Sequence, residues 1–151
     1  METKNEQTTA ALTHLSALSQ YFIPFGNFIF PILIWSSKKE KSEFIDYHGK
    51  QVINFQLSIL LYSVLFILIA IPIFATVVFS NVNWNELIND QDFILEKVNM
   101  ADNIGLLTIG IIAVLSIFLL KVAEFFLIII KSINASNGEK TTYPLTINFI
   151  K

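Results

Sequence analysis

Two charged side chains interrupt an otherwise apolar run: Lys121 and Glu124 stand between IGLLTIGIIAVLSIFLL and FFLIII. Three residues apart on a helix, they share a face and can pair. An ionisable pair inside a membrane helix is a functional suspect by default. At the membrane boundary the same pair is a lysine reaching water along its aliphatic stem. Polar stripes are the second feature. Tyr47, Gln51, Asn54, Ser58 and Tyr62 recur at helical spacing beside His48, and Thr9, Thr13, Ser16 and Gln20 recur likewise upstream. Helices in lipid gain no hydrophobic drive from touching one another, so such stripes commonly hydrogen-bond to neighbouring helices. The candidate polar face is therefore Thr13, Ser16, Gln20, His48, Gln51, Asn54, Ser58 and Tyr62, with the upstream stripe as natural partner of the downstream one. It serves as interhelical glue or, alternatively, lines a polar groove or path.

Other chemistry finds little support. The chain has no cysteine, which excludes disulfides, thiolate nucleophiles and sulfur-ligated metals. Its histidines, His14 and His48, come from different segments. Asp46 and His48 offer a carboxylate and an imidazole, but a metal site needs three or four ligands, so neither metal nor cofactor is expected. No serine sits in a nucleophile elbow and no glycine loop resembles a phosphate cradle, so an enzyme is not expected. All ten cationic residues are lysine, which removes the bidentate arginine clamp for phosphate or carboxylate. A net charge of -2 leaves no basic footprint for nucleic acid.

The elements that must position these residues are apolar. Hydrophobic residues make up 54% of the chain and charged residues 15%, against roughly 25% charged in a soluble domain. Three apolar elements, about 10–35, 51–80 and 104–130, predict an all-α integral membrane protein, a single membrane domain over 1–151 built as a small bundle of three spans. The second and third run long enough to cross without strain. The first carries Pro24, Gly26, Asn27 and Pro31, and proline disrupts a straight helix. One kinked span from about Leu12 to Trp35 is the favoured reading. Two half-helices returning as a re-entrant hairpin are the alternative, giving four helices with the break at Pro24.

Lysine asymmetry sets the orientation. Lys38, Lys39, Lys41 and Lys50 lie between the first two elements, and Lys131, Lys140 and Lys151 follow the third. The segment 81–103 holds Lys97 against five acids. By the positive-inside rule the tail 131–151 is cytoplasmic and the acidic loop is outside, in a multi-pass cell-membrane protein. Trp35 and Trp84 stand at opposite ends of the apolar stretches, as interfacial anchors do.

Several short patterns resemble a known family: His14-Leu-Ser16, Pro24-Phe-Gly26-Asn27, His48-Gly49-Lys50 with Asn54-Phe55-Gln56, and Tyr143-Pro144-Leu145. Together they resemble an uncharacterised bacterial membrane-domain family grouped with the Tic-twenty-like proteins, named for a component of the chloroplast inner-envelope translocon. That resemblance implies an all-helical membrane fold and a distant link to protein translocation. The chloroplast relatives are drawn with four membrane helices, which favours counting the first element as two. The expected function is a non-enzymatic membrane protein acting through helix–helix assembly with itself or other membrane proteins in the lipid bilayer, in membrane-protein biogenesis or translocation. A small oligomeric channel or transporter with a polar-lined path is the alternative.

Overall fold

A computed structural model of the chain describes residues 3–81 and 103–151. Among the described residues the regular structure is helical: α1 (Lys4–Ser16), a 3-10 turn (Ala17–Tyr21), α2 (Gly26–Lys38), α3 (Glu43–Asn81) and α4 (Ile104–Ser136). The acidic loop, Trp84 and Lys97 lie outside the described residues.

Each helix boundary has a local cause. Thr3 and Glu6 form a reciprocal capping box that satisfies free donors at the start of α1. The 3-10 turn tightens the chain after Ser16, and the backbone reverses through Tyr21–Phe25, where Phe25 takes the left-handed conformation at φ 60°. A side chain with φ above zero is uncommon, and here it sits immediately before α2. Pro31 lies within α2 and does not end it. At its far end α4 stops at Ser136, with Gly138 at φ 82° and Glu139 N–H donating to the Asn134 carbonyl. Glycine at a left-handed closing position is the usual helix stop.

The first apolar element is therefore not one kinked helix. It is two helices joined by a turn, and the second folds back along the first. The N-terminal residues Asn5, Glu6 and Thr9 border a small cavity with Lys38, Lys41 and Ser42, so the start of α1 lies beside the end of α2. Pro24 marks the break, but the reversal is made by the whole exposed segment around it.

The chain divides into two compact units. The first comprises residues 1–61 and 120–151. Its core joins Ala17, Val52, Phe55, Ile59, Ile128 and Tyr143, and Phe55 stacks on Tyr143 with ring centroids 4.0 Å apart. A smaller cluster holds Ala10, Ala11, Phe44 and Ala135. The second unit, residues 62–119, contains the remaining parts of α3 and α4. There Ala70, Val77 and Ala113 are buried, and Gly110 lies against Ile73 and Phe74. Small residues at such a contact let two apolar helices approach closely.

α3 and α4 are both long and apolar enough to cross a membrane: an 18-residue stretch within Glu43–Phe79 has a mean hydropathy of 2.7, and one within Ile104–Ser136 has 2.6. Most of their large apolar side chains are exposed, including Leu65, Leu68, Ile71, Ile112, Leu115 and Phe118. A helix that keeps its apolar residues on the outside is arranged for lipid rather than water. The molecule is a small all-helical, membrane-embedded protein.

Candidate functional site

The polar residues of the first unit gather in three places, each built from a different set of elements. The first joins α1, α3 and the tail. His14 and His48 are fully buried, and His14 Nε2 lies 2.8 Å from His48 Nδ1. On its other side His14 Nδ1 lies 2.6 Å from the Tyr143 hydroxyl. Burial, with the Glu124 carboxylate adding to it, pushes the Tyr143 hydroxyl well above the ordinary phenol value of 10.0. It therefore stays protonated and has a proton available for His14 Nδ1. With that proton donated to Nδ1, the His14 proton sits on Nε2 and points at His48 Nδ1, which leaves His48 Nε2 as the remaining N–H. The Glu139 main chain lies beside that imidazole, but no hydrogen bond of good geometry closes onto Nε2.

The second place joins the 3-10 turn to α4. Glu124 is fully buried, and both its oxygens are engaged: Gln20 Nε2 donates to Oε1 at 2.8 Å, and Lys121 Nζ to Oε2 at 2.8 Å. Lys121 also donates to Gln20 Oε1 at 3.3 Å. The lysine side chain keeps 41% exposure, so the carboxylate is enclosed while the ammonium reaches out.

The third place joins α3 to the C-terminal tail. Asn54 Nδ2 donates to the Ile150 carbonyl at 2.9 Å, while its Oδ1 accepts from Phe149 and Ile150 N–H at 3.1 and 2.8 Å. One turn further, Ser58 Oγ accepts from Ile147 N–H at 2.9 Å. The extended tail thus satisfies its backbone on a helix, through side chains that stand in for a neighbouring strand. Gln51, on the same stripe, lines an open cavity bordered by the tail.

The upstream stripe does not meet the downstream one as expected. Thr13 donates to the Thr9 carbonyl and Ser16 to the Thr13 carbonyl, both within their own stretch of chain. Hydroxyls satisfied by the preceding turn have no proton left for a neighbouring helix. His14, between them, makes the contact to α3 instead, and Gln20 reaches α4. Tyr62 belongs to the second unit. Tyr143 is the residue that periodicity could not find, because the tail has no helical period. Two further ties bind α2 to α3: Asn27 Nδ2 donates to Gln56 Oε1 at 2.7 Å, and the Trp35 indole to Asp46 at 2.8 Å.

Chemically, two of these arrangements close on themselves, and the first leaves His48 Nε2 without a hydrogen bond. The carboxylate of Glu124 and the amide of Asn54 spend their bonding capacity on protein groups. Among the described residues, no three His, Cys, Asp or Glu side chains come together as a metal site.

Fold and buried polar ties together define a small helical membrane protein stitched by side-chain hydrogen bonds between its elements. The chain belongs to the magnetosome magnetite crystal formation protein family, whose model matches residues 5–150. This corrects the resemblance to the Tic-twenty-like proteins: short polar motifs beside apolar helices recur among unrelated membrane proteins, whereas the family match covers nearly the whole chain. The link to a protein translocon rested on that resemblance and falls with it. No curated protein and no solved structure matches the chain.

Proposed function

We propose that this chain is a non-enzymatic protein that crosses the membrane twice, dips into it once, and works by helix–helix assembly with partners. The family's description puts the setting of that assembly at a membrane where magnetite crystals form. The observation that carries the reading is the division of its surfaces. Most buried polar groups of the first unit are bonded to one another, while α2 and α4 turn Ile29, Leu33, Phe126 and Ile133 outward. Such a protein offers apolar side chains to lipid and neighbouring helices.

Topology follows from lengths. α2 has 13 residues, about 20 Å at 1.5 Å per residue, which falls short of a hydrocarbon core of about 30 Å. The α1–α2 hairpin therefore enters and returns on one face. α3, at 39 residues, is about 58 Å long and crosses with turns to spare. Both termini then share the lysine-rich cytoplasmic side, and the acidic loop faces the opposite side. Crosslinking in native membranes, read by mass spectrometry, tests the assembly. Crosslinks through the Phe126–Ile133 face of α4 are expected; recovery of the chain only as a free monomer overturns it.

A further inference from the structure

The cavity between the start of α3 and the tail has a use beyond holding the tail. Its volume is about 370 Å³, within the few-hundred-Å³ range of small-molecule sites. Its chemistry changes along the helix. Glu43, Asp46 and Tyr47 stand at the outer end, and Lys50 and Gln51 lie one to two turns further in, with Lys151 across from them on the tail.

The outer end accepts ammonium groups. Lys140 Nζ sits 2.9 Å from Glu43 Oε1 and 5.6 Å above the Tyr47 ring, so an acid and an aromatic face already hold a primary ammonium there. The Glu43 side chain is 88% exposed, and among the described residues no hydrogen bond reaches its second oxygen. The inner end has donors to spare. Lys50 places one of its three protons on Asp46 at 2.6 Å. Gln51, half-buried on the cavity wall, makes no hydrogen bond to the described residues.

We propose that this cavity binds a phosphodiester joined to a primary ammonium, the headgroup of an aminophospholipid. Phosphate meets Lys50, Gln51 and Lys151; the ammonium donates to Glu43. The order matches a lipid standing in its leaflet, with the phosphate deeper and the amine at the surface. This rests on the lysine-rich end of α3 lying at the membrane surface, as proposed above.

The test is native mass spectrometry of the purified full chain in micelles. Phosphatidylethanolamine, phosphatidylcholine and phosphatidylglycerol of identical acyl chains are offered together. Choline carries the same charge but has no N–H to donate, so it isolates the bond to Glu43. The ethanolamine lipid should be retained about tenfold over the other two, the scale of one charge-assisted hydrogen bond. Glu43→Gln should abolish that preference, Lys50→Gln should weaken all three lipids, and Lys4→Gln should change nothing. Soluble glycerophosphoethanolamine forms the second arm. Its retention in place of the lipid assigns the same chemistry to a soluble ligand and overturns the lipid source. Equal retention of the three lipids by the native chain, with no soluble binding, or an unchanged preference in Glu43→Gln, overturns the site. The side of the α3 start is read separately by impermeant maleimide labelling of Glu40→Cys, and membrane integration by resistance to carbonate extraction, so a failed site is distinguishable from a failed topology.

Discussion

Asn54 grips the main chain of Ile150 from both sides, donating to its carbonyl at 2.9 Å and accepting from its N–H at 2.8 Å. A side-chain amide carries a donor and an acceptor in the spacing of a peptide group, so one asparagine on a helix can replace a pairing strand. The consequence is a C-terminal tail tied to α3 without regular structure of its own.

Replacing Asn54 with alanine should therefore free the tail. Three part-buried hydrogen bonds go, and each is worth about 0.5–1.5 kcal/mol, so a loss of about 1.5–4.5 kcal/mol is expected. Hydrogen exchange in detergent checks it directly. The amides of Ile147, Phe149 and Ile150 should lose protection while those of α4 keep theirs. Unchanged protection at Phe149 and Ile150 would refute the grip.

How far the sequence shows this arrangement differs from element to element. α3 and α4 are legible because a long charge-free apolar run has one physical outcome in lipid, a spanning helix. The stripe through Gln51, Asn54 and Ser58 is legible as a polar face, but periodicity does not name its partner. That partner is the tail, whose residues satisfy their backbone through α3 and so leave no period to read. The α1–α2 reversal was visible as a break at Pro24, yet a break alone does not say whether the chain goes on or turns back. The turn is decided by contacts remote in sequence, such as His14 with His48 and Gln20 with Glu124.

The approach of α2 to α3 depends on a missing side chain. A Cβ at Gly49 would fall on the Trp35 ring, whose indole N–H is held by Asp46. Gly49→Ala should cost about 1–3 kcal/mol by overpacking, seen as a lower unfolding midpoint in detergent. Combining it with Trp35→Ala should recover part of that cost, because the ring that collides is gone. If the two losses simply add, the contact does not limit the packing.

Glu124 and Lys121 differ in burial, and their variants should differ accordingly. Lys121→Met leaves a fully buried carboxylate with Gln20 alone, and unpairing a buried charge costs about 3–5 kcal/mol. Glu124→Gln leaves an ammonium that is 41% exposed and can turn to water, so it should cost less. The double variant should lie closer to the native chain than Lys121→Met does. Unfolding of the three variants in mixed micelles gives the order, and a larger loss in Glu124→Gln would contradict it.

The hairpin's return fixes the side of the N-terminus. Asn5 and Glu6 border one cavity with Lys38 and Lys41, and Gly138, just past the end of α4, lies against Gln7. Those neighbours belong to the lysine-rich segments, so Asn5 must share their side of the membrane. The native chain has no cysteine, so single cysteines report without background. In intact cells an impermeant maleimide should label Asp90→Cys and leave Asn5→Cys, Glu40→Cys and Lys140→Cys untouched until the membrane is opened. A first element that crossed in one piece would instead place Asn5 outside with Asp90. Labelling of Asn5→Cys in intact cells would thus restore the kinked span and remove the hairpin from the membrane topology.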